Sequence, residues 1–339
     1  MDDKSPQGSS DADAMPQAPP SSHLSIKRNA GFLHRVKLMC TKFPVRDSSW
    51  WVGVTFTVGS TAFVINGFFL FLPLEAPESI FAGEAAYGVP ISGVIGGLVF
   101  VLGGWSTFLE GLNLKQERNV IMTAGVIVDD VEVPEKNGGK SIDVESSPKY
   151  VSESDHEPMR HSASPSASIR QTLDTSIAPG LAMIGSPAFL WYPSMRQFRK
   201  TYWSDMCFLS GLVTFIGTWI FLVGVLTSVP GVIDFTNIPL FYGSSLFPTT
   251  FGGVLFITAS VMQMLSVQRK WYIPEPLHLD WHVGFVNLIG SVGFLLAGAL
   301  PYIGTEEATR QSALSSLWGS WAFLVGSFLQ WYWAMENYC

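Results

Sequence analysis

Six stretches of this chain, residues 50–72, 91–109, 206–227, 246–265, 283–303 and 315–335, contain no Asp, Glu, Lys, Arg or His. Each runs to about 20 residues, the length of helix that crosses a hydrocarbon slab of about 30 Å. Barrel strands would be shorter and would alternate apolar with polar positions. Six buried helices of a soluble fold would keep a polar face somewhere along their length. The pattern therefore predicts an all-α polytopic membrane protein, a bundle of six transmembrane helices.

A finer pattern repeats inside the spans. The second, fourth and sixth carry small residues and Phe at identical offsets: Gly96, Gly97, Phe100, Gly103, Gly104, Thr107; Gly252, Gly253, Phe256, Ala259, Ser260, Gln263; Gly319, Ser320, Phe323, Gly326, Ser327, Gln330. Positions i, i+1, i+4, i+7, i+8 and i+11 share one helix face, so each of these spans presents a groove of small residues beside an aromatic ring. The first and fifth spans share a second pattern, in which Trp50, Gly53, Gly59, Ser60, Phe63 and Gly67 match Trp281, Gly284, Gly290, Ser291, Phe294 and Gly298. The third keeps its centre, Gly217, Thr218 and Phe221, and closes one position early at Gly224. The spans thus pair into three related hairpins. In lipid, helices associate through close contact and interhelical hydrogen bonds, so small residues gather at their interfaces. Gly59, Gly96, Gly97, Gly103, Gly104, Gly217, Gly252, Gly253, Gly290, Gly319, Gly326 and Ser327 are the helix-packing candidates.

Charge sets the expected orientation. All Lys and Arg residues except Arg310 lie in the N-terminal tail or in segments that follow even-numbered spans, while 73–90 and 228–245 hold none. By the positive-inside rule both termini and the long central linker are expected in the cytoplasm. Which membrane this is cannot be read from the chain. Only 14% of residues are charged, against about 25% in soluble domains. The net charge of −7 says little about partners, because the acids concentrate in the tails and the linker.

Outside the spans the chain divides into a polar, Ser/Pro-rich tail (1–23), a basic amphipathic segment (24–46), hairpin 1 (47–112), a mostly disordered linker (113–190), an interfacial segment with hairpin 2 (191–270), and hairpin 3 (271–339). The amphipathic segment either lies in the anionic cytoplasmic leaflet or caps the bundle. Cys40, between Lys37 and Lys42, suits palmitoylation or is an inert thiol. Ser147 and Ser164 precede prolines in the linker and are either phosphorylation sites or parts of a passive tether. Asp47, Asp205 and Asp280 stand where odd-numbered spans begin and read as helix caps.

The combination of Gly-Ser-x-x-Phe on one helix with Gly-Ser-x-x-Phe-x-x-Gly-Ser on the next resembles the YrhK-like domain, a two-helix membrane domain. GSVGF, from Gly290 to Phe294, and GSWAFLVGS, from Gly319 to Ser327, carry the likeness most fully. GGLVFVLGG and GGVLFITAS keep the stripe with substitutions. The resemblance implies hairpins as the structural unit and implies no particular chemistry.

No catalytic constellation stands out. HExxH, paired-cysteine, GxSxG and P-loop patterns do not occur, and the six spans contain no carboxylate, His, Lys or Arg for intramembrane hydrolysis or ion coupling. Neither a cofactor nor a metal site is expected, and the basic stretch is explained by a membrane surface rather than by nucleic acid. The polar residues within the spans, Asn66, Asn287, Gln263 and Gln330, form the candidate polar pathway. They either line a cavity or tie helices together. The expected function is a non-catalytic scaffold or sensor with a regulated linker, which could engage a cytoplasmic protein or assemble as a homo-oligomer. The alternative is a channel or facilitator for a small uncharged solute.

Overall fold

The computed structural model describes residues 31–129, 183–187 and 189–338, with only the backbone path described for 115–129 and Asn337. The linker serines Ser147 and Ser164, the tail 1–30 and Cys339 lie outside the described residues. Those residues form an all-α bundle. A first helix, α1 (Phe32–Thr41), precedes six long ones: α2 (Ser48–Glu75), α3 (Val89–Asp129), α4 (Met206–Thr227), α5 (Phe247–Val267), α6 (Leu279–Ala299) and α7 (Glu306–Ala334). With the short turns that continue them, these six are long and apolar enough to cross a membrane. The outward faces carry large apolar side chains such as Val58, Leu98, Ile216, Val254, Ile289 and Phe328, which only lipid would cover favourably. The chain is a multi-pass membrane protein.

The six spans form a closed ring in sequence order. Each packs on its neighbours in the chain, and α7 closes onto α2. One end of the ring, the base, carries α1, the C-terminal turn and residues 183–187 and 189–205. The other end, the crown, carries the connections within the hairpins.

Asp47 accepts a hydrogen bond from the Ser49 amide at 2.9 Å, and Asp205 accepts from the Cys207 and Phe208 amides at 3.0 and 3.1 Å. Both cap free N–H groups at a helix start. Asp280 instead sits in the first turn of α6, whose N-cap is His278.

α1 packs on the bundle. Its Leu38 and Met39 are buried against Trp50 and Met335, and Arg35 pairs with Glu336 at 3.3 Å beneath the Tyr332 ring. Cys40, on the same helix, is exposed. At the crown the lone basic residue of that end, Arg310, forms a bidentate pair with Glu75, tying α7 to α2.

The segment that the sequence assigns to a linker contributes structure at both ends. α3 continues helically to Asp129. At the far end a strap, residues 183–187 and 189–190, returns to the base, where Ile184 N–H donates to the Arg46 carbonyl at 2.8 Å. Asn113, 2% exposed, donates to the Leu190 carbonyl at 3.0 Å and accepts from its N–H at 2.9 Å. Phe189 fills an aromatic nest with Phe108, Tyr202 and Phe208.

Candidate functional site

The centre of the ring is made by one phenylalanine from each span: Phe63, Phe100, Phe221, Phe256, Phe294 and Phe323, all buried. They stack in two layers. Phe63, Phe221 and Phe294, from the odd-numbered spans, form a triangle with centroids 5.1–5.8 Å apart. Phe100, Phe256 and Phe323, from the even-numbered spans, lie against them on the base side, with Phe323 at 5.8 and 6.1 Å from the other two. Edge-to-face and offset pairs of this kind add about 0.5–1.5 kcal/mol each beyond simple burial.

Glycines allow the rings to meet. A Cβ at Gly59 would lie 2.6 Å from the Phe100 ring, one at Gly96 3.0 Å from Phe63, one at Gly217 3.1 Å from Phe256, one at Gly252 2.9 Å from Phe221, and one at Gly290 2.6 Å from Phe323. Each hairpin therefore interlocks the glycine of one helix with the phenylalanine of the other. Between hairpins some of the closest contacts are to backbone. A Cβ at Gly253 would meet Leu295 N and Cα at 2.7 Å, and one at Gly211 would meet the Thr107 carbonyl at 2.6 Å. Gly211 stands six residues before Gly217, as Gly53 and Gly284 stand before Gly59 and Gly290. It is a member of the odd-span pattern that the motif reading of span three passes over. Of the other packing positions, Gly97 faces Leu222, Gly103 faces the Phe56 ring, Gly104 faces Thr218, and Gly319 lies against Gly293. Ser327 is buried and bonds its own helix at Leu324.

Beneath the even-span rings, toward the base, lies a cavity of about 90 Å³. Phe100, Phe256 and Phe323 form its floor. Its walls are two sets of equivalent positions. The last residues of the even-span stripe, Thr107, Gln263 and Gln330, make one set. The residues three before the central glycine of each odd span, Phe56, Thr214 and Asn287, make the other. Glu110 and Cys207 lie at the base end.

Three of the four polar-pathway residues, Asn287, Gln263 and Gln330, are thus brought together. Asn66 is not among them. It sits on the crown side of the plug, where its amide donates to the Val89 carbonyl at 2.7 Å and to Ser92 Oγ at 3.1 Å, fastening α2 to the start of α3. Phe56, Thr214, Glu110 and Cys207 belong to the cavity although pattern reading did not single them out as lining residues. For Phe56 and Thr214 the signal was present, since they hold the same offset from a central glycine as Asn287.

Family models, curated proteins and solved structures provide no match to this chain.

Glu110 is 7% exposed, and Ser49, Asp47 and Asp280 are among its described neighbours. Ser210 donates to the Ala259 carbonyl at 2.8 Å, and Ser260 and Ser291 share a hydrogen bond at 3.3 Å, so these hydroxyls are committed to holding helices together. No hydrogen bond within the described residues occupies the side-chain amides of Gln263, Asn287 and Gln330. They are the groups in the cavity available to a guest. Nothing among the described residues gathers three or more His, Cys, Asp or Glu side chains in metal-binding reach.

Proposed function

We propose that this chain is a non-catalytic membrane sensor that takes a small polar molecule into the blind cavity from the side that carries its termini. The observation that supports this best is the six-ring plug: the cavity ends on buried phenyl rings, and a dead end suits binding rather than passage. The cavity walls offer amides, hydroxyls and one carboxyl, with no histidine to act as a base beside them. The strap supplies an output, since it joins the linker 130–182 to helices that line the cavity. The basic residues Arg35, Lys37, Lys42 and Arg46 before α2 favour a cytoplasmic base, which would expose the linker to cytoplasmic partners. The likeness to YrhK-like hairpins fits assembly by duplication and leaves the activity open.

A facilitator is the second reading. It is favoured by the position of the plug on the ring axis directly against the cavity, where tilting of three rings would join the cavity to the crown. Proteoliposomes separate the two. With Cys40→Ser and Cys339→Ser in place, a membrane-impermeant thiol reagent should label Cys207 from the base side only, and urea and glycerol should cross no faster than through protein-free vesicles. Saturable flux would establish the facilitator instead. A Cys207 that reacts from neither side would overturn the cavity reading.

A further inference from the structure

We infer that the base carries a binding site for anionic phospholipid, on the outer side of the short helical segment 195–202 that leads into α4. The inference needs only the membrane placement of the six spans and does not depend on what the cavity holds.

The segment is fastened to the bundle at a defined depth. At its start Ser194 and Gln197 cap each other: the Gln197 N–H donates to Ser194 Oγ at 3.3 Å, and the Ser194 N–H donates to Gln197 Oε1 at 3.0 Å. Its inner side belongs to the aromatic nest, where Tyr202 is buried and Phe198 packs on the same cluster. Tyr202 Oη donates to the Leu112 carbonyl at 3.4 Å. The segment therefore lies where the second span ends and the third begins, the level of the lipid headgroups.

Its outer side meets no protein among the described residues. Met195 is 81% exposed and Trp203 65%, and Arg196, Arg199 and Lys200 are exposed beside them. None of these three cations forms a hydrogen bond or an ion pair among the described residues, whereas Arg35, Arg269 and Arg310 each hold a glutamate.

Continuity and charge identify the occupant. Trp203 stands three residues before Met206, the exposed first residue of α4, so the apolar part of the patch runs into the lipid-covered belt. Indole rings favour this level of a membrane. A soluble acidic partner would have to displace lipid from Trp203 to reach the cations. A zwitterionic headgroup brings its own cation to its phosphate, so three unpaired protein cations select a headgroup of net negative charge. At about fivefold in affinity for each basic residue near an anionic surface, the three give a preference of about a hundredfold. The site also has a route to the interior. The segment that turns cations outward holds Phe189 of the strap inward through the nest, so a headgroup that steadies the segment steadies the strap.

The test uses the full-length protein in detergent, titrated with short-chain phosphatidylserine, short-chain phosphatidylcholine and soluble glycerophosphoserine. Amide hydrogen exchange of 194–203 is the readout, and lipid retained in native mass spectrometry gives a second measurement of the same series. Bound lipid should slow exchange through openings that release it by 1 + [L]/Kd, about tenfold at ten times Kd. We expect slowing by phosphatidylserine alone, lost at about 1 M salt, where the screening length falls to about 3 Å. Arg196→Gln, Arg199→Gln and Lys200→Gln together should weaken binding about a hundredfold. The same triple variant should keep the native unfolding midpoint in phosphatidylcholine, since all three side chains are exposed. Lys37→Gln with Lys42→Gln, on and just after α1, should leave the response in place. Equal slowing by phosphatidylcholine, or a native response in the triple variant, would overturn the inference. Equal slowing by glycerophosphoserine would overturn it in favour of a soluble anion. No slowing and no retained lipid with phosphatidylserine would overturn it as well, and is the result expected if acidic residues of the linker or a second protein cover the patch.

Discussion

Replacing Gly253 by Ala isolates the contact that holds hairpins 2 and 3 together. The new Cβ would lie 2.7 Å from Leu295 N and Cα, and ordinary contact begins at 3.4 Å, so α5 and α6 must part by about 0.7 Å. No rotamer relieves this, because the obstacle is main chain. Overpacking of this kind costs about 1–3 kcal/mol, while Ala recovers up to about 1 kcal/mol of helix propensity. The net loss should be roughly 1–2 kcal/mol, which lowers the unfolding midpoint by about 1–2 °C per kcal/mol for a chain of this size. Two further alanines calibrate the scale. At Gly97 the added methyl meets Leu222 Cδ1 at 2.9 Å, the end of a side chain that can turn away, and at Gly243 it meets nothing within 4 Å. Thermal unfolding of the three variants in one detergent, followed by tryptophan fluorescence, should give midpoints in the order Gly253→Ala below Gly97→Ala below Gly243→Ala. A Gly253→Ala protein as stable as the Gly243→Ala one would refute the claim that close backbone approach holds the ring together.

Asn66→Leu removes two hydrogen bonds between α2 and α3 and should lower stability by about 1–2 kcal/mol; Asn287→Leu removes an amide that no hydrogen bond within the described residues engages and should lower the unfolding midpoint less, and the opposite order would contradict the placement of both amides. Asn113→Ala strands the Leu190 N–H and carbonyl, an expected local loss of about 1–3 kcal/mol, seen as faster amide hydrogen exchange in 183–190 with the spans unaffected. Tyr338 Oη donates to Asp47 at 2.8 Å, and burial, with the Asp47 carboxylate beside it, holds the hydroxyl above the ordinary phenol range. The stability this contributes is complete below about pH 10, the unfolded value, and is lost as pH rises through the higher folded one. Tyr338→Phe should therefore flatten the decline of the unfolding midpoint above about pH 10 relative to the native protein.

The bundle was legible because its signal is physical segregation. Six runs free of charge can hardly do anything but cross lipid, and identical offsets of Gly and Phe show which helix face is turned inward. Partners were less legible. Periodicity assigns Phe63 and Phe100 to inward faces, but their joining with four other rings depends on the closure of α7 onto α2, which no local pattern encodes. Asn66 and Asn287 illustrate the same limit. Both are amides on apolar spans, yet Asn66 lies seven residues after a central glycine and reaches the start of α3, whereas Asn287 lies three before one and reaches the cavity. Asn113 and the strap left no sequence signal, since two hydrogen bonds to the backbone of Leu190 require neither periodicity nor composition.

The threefold frame also explains where function should be sought. Positions that serve packing repeat with little change: Gly59, Gly217 and Gly290 all face rings, and all six plug positions are Phe. Positions that line the cavity do not repeat. Where two hairpins place Gln263 and Gln330, the other has Thr107. Phe56 stands against Thr214 and Asn287, and Glu110 occupies the place of Ser266 and Trp333. A scaffold that needed only a closed seam would gain nothing from these departures, because a small apolar residue would close each position without desolvating a carboxyl or leaving amides unbonded. The polar asymmetry confined to one side of an otherwise repetitive plug is the mark of a site built into a packing device. On the proposed sensor reading, Glu110, Asn287, Gln263 and Gln330 are the groups that would meet a guest.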